Sequence, residues 1–594
     1  MKASDWIIDF FARRGVDTLY GYIGGMVTHL IDSASRDARV RFVQTYHEQS
    51  AAFAAEGYAR RRQLPGVAIA TSGPGATNLL TGVANAYFDS IPVIYVTGQV
   101  NTGEYKYDKP IRQQGFQETD VVSMARPVTK YAVLLDRADR ICLEFEKAWH
   151  LVQSGRPGPV LIDLPMDMQR QEIDPEKLEH FAPEDEGIMR LDDAAFSAVV
   201  EAIRHAARPL LLAGGGAIGA TAALNQLSHS GIPIAVSLMG KGAVDEFTPG
   251  FVGMIGSYGN RSANLTVGRA DLLVAIGSRL DTRQTGARRE EFCKGKNIIQ
   301  IDIDRNEMTS HRLGGRTVYY GDAKDFLTRL AEAADTLNLH PEWLTEIGFL
   351  RETYSQTREV ERFVVNRMPY DMLEALGAAS KPGDIFVADI GQNQMWAAQT
   401  LRLREGQSFL TSGGMAPMGY AIPAAIGAVM ADPVCRAWVV TGDGGLQIAL
   451  QSLPLISQYR LPVRVLVMNN ASLGMITQFQ SLYFHSNFAA TTPDGGYEPP
   501  ACALLAQAFH LPYFCARTPE ELTQILRKIP ASALVEVKLT APTTVSPKLE
   551  YDRPFYDMSP PLPEEELRKA IVSAQKKSGH KRYILMKKGQ GVLL

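Results

Sequence analysis

Between Trp438 and Asn470 the sequence WVVTGDGGLQIALQSLPLISQYRLPVRVLVMNN runs strand, glycine turn, helix and strand, and closes on paired asparagines. Ala437 to Val440 form a short apolar run that stops at Gly442-Asp443-Gly444-Gly445, where tight turning and close approach of a ligand become possible. Leu446, Ala449, Leu450, Leu453 and Ile456 recur at helical spacing, Pro462 ends that segment, and Val463 to Met468 read as a buried strand. A right-handed βαβ crossover puts both strand ends on one edge of a parallel sheet, with strands about 4.8 Å apart, so Asp443 and Asn470 can reach one cation together. A carboxylate, an amide oxygen and backbone carbonyls are hard donors that suit magnesium, and such a site is usually completed by the phosphate oxygens of a bound cofactor. Asp and Asn are also ordinary turn residues after strands, so the unit alone leaves both readings open.

The rest of the chain has the same alternation. Strand-like runs occur at VAIATSGPG, IPVIYVTGQV and GPVLIDLP, then at PLLLAGGG, IPIAVSLMG, DLLVAIGSRLD and NIIQIDID, and finally at DIFVADIG, AWVVTGDG, VRVLVMNN and ALVEVKL. Helical patterns between them give an α/β layer fold. We expect segments at 1–171, 188–335 and 365–545, with an acidic linker at 172–187. The expected C-terminal segment, 546–594, holds the proline-bearing PFYDMSPPLPEEE, read as too proline-rich for core and as a lid, and then a disordered basic tail. With 594 residues and 45% hydrophobic content there is ample core for about three or four domains. A net charge of −3 gives no global attraction to nucleic acid or to an anionic membrane. Five scattered cysteines without CxxC spacing argue against a disulfide framework or structural zinc and fit a reducing cytoplasm. The N-terminus lacks the apolar core of a signal peptide, and no apolar run of about 18 residues occurs, so a soluble protein acting on small molecules is expected.

A second strand-to-helix junction, FVQTYHEQSAAFAAEGYARRRQLPG, sets Glu48 at a helix start, where a glutamate most often only compensates the helix dipole. VAIATSGPGATN repeats the geometry with Gly73, Pro74 and Gly75. The GDG and NN spacing, together with these elements, resembles thiamine-diphosphate enzymes. That resemblance implies three doubly wound parallel-sheet domains, with Asp443, Asn470 and the Ser472 backbone carbonyl holding magnesium. Glu48 matches the family's cofactor-activating glutamate. Its carboxyl binds a pyrimidine nitrogen and favours the imino tautomer that deprotonates the thiazolium carbon, while the protein supplies orientation and a site with little water. Met418, in SGGMAPMGYAIPAAIG, matches the apolar wedge that bends the cofactor, though methionine is also ordinary core filler. Gly73, Gln392 and Asn393, and the backbone amides of Gly444 and Gly445, are the further cofactor contacts expected.

Nearly the whole chain, from about Lys2 to about Leu562, is similar to the large subunits of acetolactate (acetohydroxyacid) synthase. The passages that carry this are YHEQSAAFAAEGYAR, ATSGPGATNLLTG, GFQETD, RPGPVLIDLP, RLDTRQTG, GQNQMWAAQ and NNASLGM. The resemblance implies decarboxylation of pyruvate and transfer of its two-carbon unit to a second pyruvate or 2-keto acid, giving 2-acetolactate on the way to branched-chain amino acids. Phe116 would form an apolar wall, Gln117 would hydrogen-bond near the reacting carbonyl, and Arg283 would receive the acceptor carboxylate, although an arginine there could equally make an ordinary salt bridge. The middle segment is similar to the synthases' FAD-binding domain through Gly214-Gly215-Gly216, Leu238-Met239-Gly240, Arg279, Asp302 and Asp304. A glycine triplet after a strand is otherwise common loop structure. The family places Glu48 and Asp443 of one site on different subunits, which implies a homodimer or a homotetramer built from it.

The acceptor side departs from the family. Phe479 stands where the biosynthetic synthases have tryptophan, Ser257 and Tyr258 replace methionine and histidine, and Met166 replaces lysine. These changes leave open a related carboligase with a bulkier ketone or keto-sugar acceptor; a flavin-dependent pyruvate oxidase is a separate alternative. A non-catalytic relative is a third reading, opposed by the joint presence of Glu48, Asp443 and Asn470.

Overall fold

The structure, a computed structural model, describes residues 1–183, 187–310, 313–337, 340–572 and 592–593. Its strands form three sheets, and each run singled out above contains a strand. The first sheet is all parallel, in the order Arg41–Gln44, Thr18–Tyr22, Gly66–Ala70, Val93–Gln99, Val160–Pro165, Tyr131–Leu134. The last is also all parallel: Ser408–Leu410, Asp384–Ala388, Arg436–Gly442, Val463–Asn469, Ala533–Lys538, Tyr513–Ala516. Counted in chain order within each sheet, both read 2-1-3-4-6-5. The parallel strands of the middle sheet read 3-2-1-4-5-6, the dinucleotide-binding order. Its far edge carries Val592–Leu593, antiparallel to Thr317–Tyr320.

The first and last sheets meet through two equivalent helices, Glu48–Arg62 and Ala421–Ala431, each following the second strand of its sheet. A Cβ on Gly57 would overlap the Ala424 backbone, and one on Gly427 would overlap the Ala54 backbone. Ala54 and Gly57 lie three residues apart, as do Ala424 and Gly427, so the packing is reciprocal and the backbones touch where no side chain intervenes. Arg60 Nη1 donates to the Tyr420 hydroxyl at 3.1 Å beside this contact, and Arg61 pairs with Asp432.

Two expectations are corrected. The stripe from Leu446 to Ile456 is not one helix: Asp443–Ile448 gives way to a 3-10 turn, and a new helix starts at Leu453–Gln458. Pro454 lacks an N–H and fits only the first turn of a helix, so the chain restarts there. The segment PFYDMSPPLPEEE is not kept out of the core by its prolines, because Phe555, Met558 and Leu562 are buried and Phe555 stacks edge-on against Phe292 at 5.1 Å. Its carbonyls find a donor in Arg261, bonded to Met558 O at 3.0 Å and Pro560 O at 2.8 Å and paired with Glu359. Residues 184–186 of the expected linker and 573–591 and 594 of the expected C-terminal tail lie outside the described residues. All five cysteines are free, and among the described residues no helix is long and apolar enough to cross a membrane.

Candidate active site

Strand register brings the two halves of the GDG and NN unit together. Gly442 pairs with Met468, so the next residues of both strands emerge side by side at the carboxyl edge. Asp443, Gly444 and Gly445 are themselves the first turn of a helix rather than a separate turn. The Asp443 side chain is buried, burial pushes its carboxyl up to about 6, and the buried Tyr497 hydroxyl lies beside its Oδ2, the two oxygens making no hydrogen bond of good geometry. A buried carboxylate oxygen without a well-formed hydrogen bond is costly unless a cation completes it.

Asn470 is oriented by its amide hydrogens. Nδ2 donates to Thr543 Oγ1 at 2.8 Å and to Gln392 Oε1 at 3.3 Å, which leaves Oδ1 for the backbone N–H of Ser472 and for a cation. Thr543 Oγ1 donates in turn to Gln392 Oε1 at 2.8 Å. The Ser472 carbonyl accepts from the Gly474 N–H and keeps a lone pair. Among the described residues no cluster of three or more His, Cys, Asp or Glu side chains could hold a metal. A cation at this edge would therefore have one carboxylate, neutral oxygens and the oxygens of an anionic ligand, a set that suits magnesium on a diphosphate.

The glycines around this edge have different roles. A Cβ on Gly444 would crowd Leu473 and come 3.0 Å from Met418 Cε, so Gly444 keeps open the floor beneath Met418. One on Gly445 would instead press on Thr441 and Asp389. Asn393 turns both amide hydrogens inward, to Asp389 O at 2.7 Å and Val440 O at 3.2 Å, and so ties two strand ends together, whereas Gln392 reaches the Asn470 network. Asp389, missed in the sequence, is fully buried and accepts the N–H groups of Ile390, Gly419 and Ala421; it thereby fixes the loop that carries Met418. Burial pushes its carboxyl up to about 6.

The first sheet supplies a second cluster. Glu48 opens its helix behind the N-cap His47, is buried, and accepts Asn78 Nδ2 on Oε2 at 2.9 Å. Its Oε1 lies 3.2 Å from where a Cβ on Gly75 would stand, so the glycine leaves that oxygen room. Gly73 packs on Gln117, and both have φ of 64°. Beside them Glu118 anchors the loop by accepting the N–H groups of Lys106, Gln114 and Gly115. Phe116, by contrast, is 81% exposed.

On a third side, Arg283 stacks its guanidinium over Tyr258 at 5.6 Å, and the Tyr258 hydroxyl donates to Met475 Sδ at 3.7 Å. Met475 belongs to the helix Gly474–Tyr483, on which Phe479 packs 4.8 Å from Tyr483 and remains 48% exposed. In the middle sheet the loops Gly214–Gly216 and Leu238–Gly240 meet. Cβ atoms on Gly214 and Gly216 would overlap Gly277, and one on Gly240 would overlap Ala213, so these glycines are needed for loop packing. Gly215 faces Met239 and is exposed. Arg279 pairs with Asp281, Asp302 is buried at its strand end, and Asp304 pairs with Arg156 at 3.2 Å.

Comparison with known proteins shows the family. The family descriptions "Thiamine pyrophosphate enzyme, N-terminal TPP binding domain", "central domain" and "C-terminal TPP binding domain" match residues 1–124, 196–330 and 389–537. A probable acetolactate synthase large subunit of Methanocaldococcus jannaschii is 38% identical over 82% of this chain and 83% of its own. The chain belongs to the acetolactate synthase large-subunit family of thiamine pyrophosphate enzymes. Two synthases of Escherichia coli agree: the isozyme 1 large subunit at 32% identity over 92% of this chain and 95% of its own, and the isozyme 2 large subunit at 35% over 86% and 90%. Thr543, 73 residues from Asn470, had no local signal in the sequence. Asp389 had one, since ADIG ends a strand as TGDG does.

Proposed function

We propose that this chain is a thiamine-diphosphate- and magnesium-dependent acetolactate synthase that decarboxylates pyruvate and joins its two-carbon unit to a second pyruvate or 2-keto acid. The observation that carries the reading is the buried Asp443 oxygen, which makes no well-formed hydrogen bond, beside an Asn470 amide whose hydrogens are already engaged. Asp443, Asn470 and the Ser472 carbonyl would hold magnesium, the Gly444 and Gly445 amides would meet the diphosphate, Gln392, whose amide hydrogens go to Gln478 Oε1 and Thr543 O, would hold Asn470 rather than the diphosphate, and Met418 would support the bend. Bound thiamine diphosphate supplies the carbanion chemistry of decarboxylation and carbon–carbon bond formation. Asn78 holds Glu48 by one oxygen, which leaves the oxygen beside Gly75 to hold a proton against the pyrimidine. Gln117 stands near the reacting carbonyl, Arg283 receives the acceptor carboxylate, and Phe116 and Phe479 wall the pocket.

The active unit is proposed to be a homodimer, or a tetramer of such dimers. Among the described residues no hydrogen bond or ion pair joins Glu48 to Asp443, Asn470 or Ser472. Apolar residues stand exposed on both halves: Phe116, Ile23 and Tyr46 on one, Ile448, Ile476 and Phe479 on the other. A second copy covering them would bring the Glu48 cluster of one chain to the Asp443 edge of the other. FAD is proposed at the middle sheet, supported by its strand order and by the bare Gly215 backbone at the carboxyl edge. Purified protein that shows flavin absorbance, released on denaturation, would support this; protein without flavin that is nevertheless fully active would remove it. The free cysteines favour a cytoplasmic setting.

The test of function is to incubate the protein with thiamine diphosphate, magnesium and pyruvate, with and without 2-ketobutyrate, and to identify products by mass. Acetolactate is expected, with acetohydroxybutyrate when 2-ketobutyrate is present. Pyruvate left unconsumed under all conditions would overturn the reading.

A further inference from the structure

Residues Thr543 to Leu549 form a strap fastened along its whole length. Thr543 binds Asn470 and Gln392, and the Thr544 carbonyl accepts Trp396 Nε1 at 2.8 Å. The Ser546 N–H donates to the Tyr370 hydroxyl, and its own hydroxyl donates to Glu359. The Pro547 carbonyl accepts Gln399 Nε2 at 2.8 Å, and the same amide group also donates to Tyr258 O. The Leu549 N–H donates to Ser257 O, and the Ser257 N–H to Arg283 O, both at 2.6 Å. The strap thus runs from the proposed metal edge to the Arg283 loop.

The helix that carries Phe479 is fastened to the strap by Gln478. Its Oε1 accepts the Val545 N–H at 3.0 Å and Gln392 Nε2 at 3.1 Å, while its Nε2 donates to Val545 O at 3.2 Å. One amide therefore engages both backbone groups of a strap residue and a side chain of the Asn470 network. Gly474, one turn earlier on the same face, presses on Gln392 and Asn470, where a Cβ would collide with both. Face and register of the helix are thereby set. The residues on its other sides, Met475 against Tyr258 and Phe479 against Tyr483, follow from that register.

We propose that Gln478 is a positioning residue that sets the register of the Gly474–Tyr483 helix and so determines how the site receives its 2-keto acid acceptor. This rests on the reading that Arg283 and Phe479 flank the acceptor. The side chain of Gln478 need not touch substrate. Its three hydrogen bonds fix where Met475 and Phe479 stand relative to Arg283, and small displacements of a substrate-positioning group cost up to about 10²-fold.

Gln478→Met keeps the volume and removes all three hydrogen bonds; Gln478→Glu keeps the accepting oxygen and loses the donor. In Gln478→Met we expect the KM for pyruvate to rise and the acetohydroxybutyrate-to-acetolactate ratio in a pyruvate and 2-ketobutyrate mixture to shift, each by roughly tenfold. The kcat and the affinity for thiamine diphosphate, read by protein fluorescence, should stay within about threefold, and Gln478→Glu should be intermediate. Equal loss of kcat, KM and cofactor affinity in both variants, or an unchanged product ratio, overturns the proposal. Arg283→Ala and Phe479→Ala separate the two ideas. If neither alters acceptor use, the underlying reading fails; if both do and Gln478→Met does not, only the role of Gln478 fails.

Discussion

The first and last sheets share one strand order, 2-1-3-4-6-5, and equivalent helices, yet their carboxyl edges carry opposite chemistry. After its third strand the last sheet presents Asp443, and after its fourth Asn470; the first sheet at the same places presents Gly73 with Pro74, and the loop that leads to Phe116 and Gln117. Conversely, the helix after the second strand begins with Glu48 in the first sheet and with Ala421 in the last. The fold selects the edge where a ligand sits, and residue identity decides which half of the ligand is met there. Each half carries side chains the other lacks, and in the proposed dimer the two would complete one site.

The largest effect should come from the last-sheet half. Asp443→Ala should abolish magnesium-dependent binding of thiamine diphosphate and, with it, turnover, as read by fluorescence titration and pyruvate consumption; retained binding would show that the cation sits elsewhere. Glu48→Gln should lower turnover by about 10²–10⁴ with cofactor affinity and fold intact. A variant that instead lost the cofactor would erase the distinction between the halves.

The reciprocal helix contact makes a symmetric prediction. Gly57→Val and Gly427→Val should each destabilise the protein by about 1–3 kcal/mol or more through overpacking, seen as similar drops in Tm. A large effect at one glycine and none at the other would end the equivalence. The smallest effect concerns pH. Because burial raises the Asp443 carboxyl to about 6, above its ordinary value of 3.8, the folded cofactor-free chain holds more protons than the unfolded chain between those values. Its stability should therefore fall as pH rises through that window. Asp443→Asn removes this dependence, so the cofactor-free variant should be the more stable at pH 8, with the difference shrinking toward pH 4 in thermal melts.

Much of this was legible in the sequence because parallel strands buried on both faces read as continuous apolar runs, and because GDG and NN lie within one βαβ unit. Glu48 could be placed at a helix start by its neighbours. The split at Pro454 was missed because the periodicity of Leu446 to Ile456 survives a restart of the helix. The burial of Phe555 and Met558 was missed because the donor that makes it tolerable, Arg261, lies almost three hundred residues away. Thr543 and Gln478 escaped for the same reason: their partners are tertiary, whereas Asp389 had its strand-end signal in ADIG, and Asn393 was read as a ligand contact although its hydrogens stay within the sheet.

In the proposed dimer, Glu48 and Asp443 of one site come from two copies of the chain. This is tested most directly by reassembling equal amounts of Glu48→Gln and Asp443→Asn chains. Each alone should be inactive. Random pairing should make half the dimers mixed, each with one intact site, and restore about a quarter of wild-type acetolactate formation. A mixture as inactive as its parents, with mixed dimers shown to form, would mean that each site draws both residues from one chain.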